Sequence, residues 1–250
     1  MELPMLLKIL ITMLSLGAAS SVYSVEEIKV AFGNALAPWV MPATNNGIII
    51  DIITEALEPA GYKVVPIYYP YLRRITQYRN RFVDVSSDIN VNTMTEESLA
   101  GFLSDDAYTY ENFAFALKVK GYKFKHLNEL GNLSLLSWQG AIAHLGNEYA
   151  QMASNNPYYF ETNRQESQIQ MLFLKRVDVV QLDEKIFDYF RSKVEQNGIV
   201  DTTEEVDRFP LFGASSNGFL FHDKKIRDTF NRQLKLLKES GRYAEILERY

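Results

Sequence analysis

The chain has 250 residues, 47% of them hydrophobic and 23% charged, which is enough length and apolar content for a buried core and excludes a largely disordered segment. A net charge of −5 argues against a nucleic-acid partner. The absence of cysteine excludes disulfides, thiolate metal sites, a cysteine nucleophile and a lipid-bearing cysteine.

Residues 1–24 read as an export signal peptide. Lys8 precedes an apolar run over 9–19, and the small residues Ser20 and Ser21 follow. Val22 and Ser24 sit at −3 and −1 of a cut before Val25. The run is shorter than the roughly 20 residues a bilayer span needs. The expected product is therefore an exported protein released by cleavage near Ser24.

Strands and helices then alternate. Ile28, Val30 and Phe32, spaced by two, predict a strand over 27–33, followed by a loop with Pro38, Trp39 and Pro42 and the turn pair Asn46-Gly47. Ile49, Ile52, Ile53, Ala56 and Leu57 fall at helical spacing, and Gly61 ends that helix. A strand over 64–68, a helix over 71–79 and a strand starting at Val83 follow. The pattern repeats with strands at 113–119, 133–136, 177–180 and 218–221 and helices at 145–152, 167–173 and 187–194. Two helices close the chain, one facing inward with Ile226, Phe230, Leu234 and Leu237, the other with Tyr243, Ile246, Leu247 and Tyr250. This alternation predicts an α/β fold with mostly parallel sheets. No Gly-, Pro- or Ser-rich linker divides the chain, so two lobes joined by crossing strands are expected, with the site in the cleft between them.

The order and spacing of several short motifs resemble the type II periplasmic solute-binding proteins, in particular the polar amino-acid-binding family. The matching pieces are Pro38-Trp39 with 47–52 (GIIIDI), 61–64 (GYKV), 70–73 (PYLR), 82–84 (FVD), 175–183 (KRVDVVQLD) and 237–246 (LKESGRYAEI). The resemblance implies a two-lobed protein, with lobe one formed by 25–112 and 216–250 and lobe two by 113–215. It also implies a periplasmic monomer without a cofactor, closing on a small-molecule ligand and delivering it to an ABC-type membrane permease. By the same resemblance, Trp39 would face the ligand, Arg73 would donate to a carboxylate or phosphate, and Asp88 would end the third strand. Gln139 and Gly140 would lie at a helix N-terminus suited to an anion, and Asp183 would bind a ligand amino group. Plainer roles stand beside these: core filling for Trp39, a solvated helix charge for Arg73, and caps for Asp88 and Asp183.

The chain departs from the family where the ligand's carboxylate is usually clamped. The Thr-Pro-Glu-Arg motif is replaced by 93–98 (TMTEES), and Gly-Thr-Thr by Gly140-Ala141-Ile142. No Lys or Arg occurs between Arg81 and Lys118. A cationic or neutral polar ligand is expected in place of an ordinary amino acid, with an ammonium group set against Asp88 and Asp183. His126, His144 and His222 show no metal-ligand spacing, and no nucleophile elbow or phosphate-binding glycine loop occurs. Two alternatives stay open: a dehydratase-like enzyme on the same scaffold, with Asp183 or Glu96 as acid or base, and a sensor that engages a membrane receptor.

Overall fold

The computed structural model describes residues 25–34 and 36–250, so the signal peptide expected in residues 1–24 lies outside the described residues. Strand β1 (Glu26–Gly33) lies parallel between β2 (Tyr62–Tyr69) and β3 (Val85–Ile89), with Glu26 opposite Tyr62 and Val30 opposite Val85. Helices α1 (Ile48–Leu57) and α2 (Tyr71–Arg79) make the crossovers that parallel pairing demands. The late strand β10 (Ala214–Phe221) adds antiparallel to β3 and to the two-residue β4 (Phe102–Leu103).

The second group of strands hangs from β5 (Tyr108–Leu117). Strand β5 pairs antiparallel with β10 at its start, Tyr108 opposite Asn217. Further along it pairs with β8 (Val179–Asp183), Asn112 opposite Asp183, and with β9 (Val206–Phe209). Strand β6 (Leu135–Trp138) is parallel to both β8 and β7 (Tyr159–Thr162). The sheet order is β2-β1-β3-β10-β5-β8-β6-β7, two parallel groups joined through the antiparallel strands β10 and β5. The α/β architecture expected from the alternation is present. The remaining helices are α3 (Val91–Glu96), α4 (Ala141–His144), α5 (Asn147–Asn155), α6 (Gln165–Phe173), α7 (Glu184–Gln196), α8 (Lys224–Glu239) and α9 (Arg242–Glu248). The helix expected over 145–152 is α5, which starts after Gly146, whose φ of 88° falls outside the helical region, and the single turn α4 before it is an additional element.

Burial explains the arrangement. Seven of the ten residues of α1 are buried, so this helix is a core element apolar nearly all round. It packs in a core with Val30 and Phe32 of β1, Phe219 and Phe221 of β10, Phe230 and Leu234 of α8, and Ile246 of α9. The same core continues to Phe115 and Phe187, whose rings stack 3.9 Å apart. A smaller cluster under α2 holds Ala31, Ile75, Tyr78 and Leu220, and another behind β6 holds Leu135, Tyr149, Val179 and Phe209. The chain end is tied back to α1: the Tyr250 hydroxyl donates to Asp51 at 2.9 Å, and Arg242 donates twice to Glu55 at 2.7 and 2.8 Å.

Phe230 is fully buried, with ring centroids 5.1 Å from Phe219 and 5.5 Å from Phe221. Phe230→Ala is expected to cost about 3–5 kcal/mol through lost transfer energy and the cavity left behind. Urea denaturation followed by circular dichroism measures this as a lower midpoint at unchanged slope.

Candidate functional site

A cavity of about 110 Å³ lies where the carboxyl ends of the parallel strands from both groups converge. Gly33 ends β1 and Asn34 follows it, Tyr69 ends β2, and Asp88 lies near the end of β3. From the other group come Trp138 at the end of β6 with Gln139 after it, Thr162 at the end of β7 with Asn163 after it, and Asp183 at the end of β8. Tyr110 and Asn112 of β5 and Ser215 and Asn217 of β10 complete the wall from the crossing strands. Carboxyl ends of open α/β sheets are where such folds bind ligands, because the helices that follow leave a crevice there.

The aromatic surface is supplied by Tyr69, Tyr71, Tyr110, Trp138 and His144. Tyr71, at the start of α2, packs edge-on against His144 of α4 at 4.9 Å, so this pair bridges the two sides of the cavity. Gly140 permits that approach: a Cβ there would sit 3.3 Å from the Tyr71 ring, and its φ of 97° suits glycine. His144 shares a hydrogen bond of 2.9 Å between its Nδ1 and the Gly140 carbonyl, and burial holds its pKa below the ordinary value.

Of the residues singled out in the sequence, Asp88, Gln139 and Asp183 line the cavity. Trp39 and Arg73 do not line it. Trp39 is buried behind Tyr110, ring centroids 4.8 Å apart, and offers the cavity no flat face. Its backbone is held against Gly47, where a Cβ would come within 2.6 Å of the Trp39 carbonyl oxygen. Its indole N–H donates to Asp183 at 2.7 Å. Arg73 is exposed and lies over Tyr69, 5.4 Å from the ring centroid. Arg74 is the arginine of the cavity wall, only 3% exposed. Successive helix positions point about 100° apart, and Arg74 shares its face with Tyr71, Ile75 and Tyr78. That stripe was readable in the sequence as the inward face of α2.

Both acidic residues are engaged by internal donors. Asp88, at φ 54°, is ion-paired with Arg74 and accepts from the hydroxyls of Ser87 at 3.0 Å, Tyr108 at 3.0 Å and Tyr110 at 2.6 Å. Burial, and then the Asp88 charge, push the Tyr108 and Tyr110 hydroxyls well above their ordinary pKa, so both stay protonated donors. Asp183 accepts from Trp39, from the Glu111 amide at 2.9 Å and from the Ile186 amide at 3.2 Å, the last as N-cap of α7. The ammonium pocket expected between Asp88 and Asp183 is thus largely filled by the protein's own donors. At the helix N-terminus expected to suit an anion, the amides of Gly140 and Ile142 donate to Glu161 at 2.9 and 3.2 Å.

No protein-family model matches the sequence, and no curated protein does. Solved structures do match. The GluR0 ligand-binding core in complex with L-glutamate superposes with a TM-score of 0.72 at 17% identity, covering 91% of this chain and 99% of that one. A histidine kinase sensor domain with similarity to periplasmic binding proteins gives 0.73 at 14% identity, over 91% and 96% of the two chains. The arginine-, lysine-, histidine-binding protein ArtJ from the thermophilic bacterium Geobacillus stearothermophilus gives 0.70 at 14%, over 90% and 95%. The fold is therefore that of the periplasmic binding proteins.

Asp183 makes a pH prediction. Burial raises its pKa from 3.8 to about 6, outweighing the four donors, Trp39 and the amides of Glu111, Ile186 and Lys185, that act in the opposite direction. The folded protein then holds this proton across a range where the unfolded chain has released it. Its contribution to stability is full below about pH 4 and declines by roughly 3 kcal/mol as pH rises through 6. Asp183→Asn, which cannot ionise, is expected to flatten that part of a stability–pH profile measured by urea unfolding.

Proposed function

We propose that the protein is an exported receptor that closes on a small polar solute in the periplasm and delivers it to an ABC-type permease. In this reading residues 25–112 with 216–250 form one lobe and 113–215 the other, and the crossing strands β5 and β10 between them serve as the hinge. The observation that supports it is the cavity itself. Its walls are contributed by strand ends from both parallel groups and by Tyr71 against His144 across the gap. A solute held there touches both sides at once, so its contacts favour the closed form over an open one. Asp88, Gln139 and Asp183 are proposed as cavity residues, with Arg74 in the place expected for Arg73 and with Trp39 acting through Asp183. Among the described residues no helix is long and apolar enough to cross a membrane.

A second reading has a specific observation behind it. The likeness to a histidine kinase sensor domain is as close in shape as any of the three described above. The same cavity would then report its occupant to a membrane partner instead of a permease.

A thermal-shift screen of amino acids, polyamines, quaternary amines, sugars and small acids tests the receptor reading. A ligand at a hundredfold its Kd adds about 2.7 kcal/mol to the folded state, which for a chain of this size raises Tm by roughly 5–10 °C. Such a shift, reduced in Asp183→Ala, is the expected result. No shift from any class overturns the reading.

A further inference from the structure

The hydrogen-bonding capacity that the cavity leaves unused indicates what kind of solute it takes. Arg74 is buried, its guanidinium is ion-paired with Asp88, and its Nε–H has no partner. Gln165, at the start of α6, is 6% exposed in the opposite wall, and its side-chain oxygen has no partner either. A buried polar group without a partner carries a desolvation cost, so an occupant that meets both is strongly favoured. The unmet demand is one donor on one side of the cavity and one acceptor on the other.

The charges in the wall are paired internally, which disfavours a strongly charged occupant. Arg74 is already neutralised by Asp88, which also holds two tyrosine hydroxyls. A ligand carboxylate at Arg74 Nε would lie beside the Asp88 carboxylate, which already neutralises the guanidinium. Asp183 has three of its acceptor positions filled by Trp39, Glu111 and Ile186. An ammonium group in a cavity of about 110 Å³ would also sit close to the Arg74 guanidinium. The other polar side chains at hand include Asn34, Gln139, Asn163 and Thr162, all neutral. The aromatic rings of Tyr71, Tyr110 and Trp138 offer flat apolar surface beside them.

We infer that the solute is an uncharged, flat amide: its carbonyl accepts from Arg74 Nε, its N–H donates to Gln165, and its face lies against the aromatic wall. This rests on the receptor reading above and narrows its ligand to one chemical class. Arg74 and Gln165 are then the residues that set specificity.

Isothermal titration of the purified protein with uracil, nicotinamide and hydantoin, set against L-glutamine, L-glutamate, L-arginine and putrescine, decides the matter. The expected result is binding of at least one of the three uncharged amides, tighter than any of the four charged compounds. Gln165→Leu, which removes the acceptor, weakens that binding about fivefold to tenfold. Arg74→Lys, which keeps the charge opposite Asp88 but lacks an Nε–H, has a similar effect; should it fail to fold, Gln165→Leu carries the test. Tighter binding of an amino acid or putrescine overturns the inference and leaves the receptor reading standing. Amide binding that Gln165→Leu leaves unchanged overturns the assigned contacts. Silence from all seven compounds overturns the inference, and only silence across the wider thermal-shift screen overturns the receptor reading as well.

Discussion

A carboxylate buried in an apolar wall is tolerable only when donors surround it, and Asp183 meets that condition with groups from three separate parts of the chain. The Trp39 indole comes from the loop after β1, the Glu111 amide from β5 and the Ile186 amide from the first turn of α7. Each of these segments has to be correctly placed before the carboxylate is satisfied. The loop that carries Trp39 is itself pinned by Gly47 and by the amides of Ile48 and Ile49, which donate to the carbonyls of Pro38 and Trp39. One side chain thus ties the start of α1, the crossing strand β5 and the helix α7 into a single arrangement beneath the cavity.

Asp88 plays the matching part on the other side. Its partners come from α2 through Arg74 and from β5 through Tyr108 and Tyr110. Tyr110 also packs against Trp39, so the two buried carboxylates are joined through one aromatic pair. A continuous run of contacts therefore passes from α2 to α7 along the cavity floor. Charge is present in this floor but is balanced locally, which leaves the cavity surface to aromatic rings and neutral amides. A buried ion pair of this kind contributes little net stability. Its consequence is geometric, because it fixes which atoms remain free to meet a solute.

Much of the fold was legible from periodicity. Strand β1, helices α1 and α2, and the closing helices α8 and α9 follow the spacing of their apolar residues within one or two positions. The elements missed were short or polar. Strands β7 and β9 have only four residues each and carry Glu161, Asp207 and Arg208 among them, and α4 is a single turn. Motif order locates the strand ends, and with them the positions of Asp88, Gln139 and Asp183 on the cavity wall. Trp39 and Arg73 were placed on the cavity because a residue's position in a motif does not reveal which way its side chain turns. The helical stripe of Tyr71, Arg74, Ile75 and Tyr78 held that information for the arginine. Gln165 carried no signal, because nothing distinguishes a glutamine at the start of an amphipathic helix until the opposite wall is seen.

The place of β10 in the sheet also bears on how the chain assembles. Strand β3 is formed by residue 89, yet its antiparallel neighbour is β10, which begins at residue 214. The core around α1 likewise waits for Phe230, Leu234 and Ile246. Residues 108–209, by contrast, contain every strand from β5 to β9 in one continuous stretch. The middle of the chain can therefore build its sheet from near neighbours, while the first strands wait on contacts separated by more than a hundred residues. Such long loop closures are slow. As the chain emerges, its oldest part is the last to be completed.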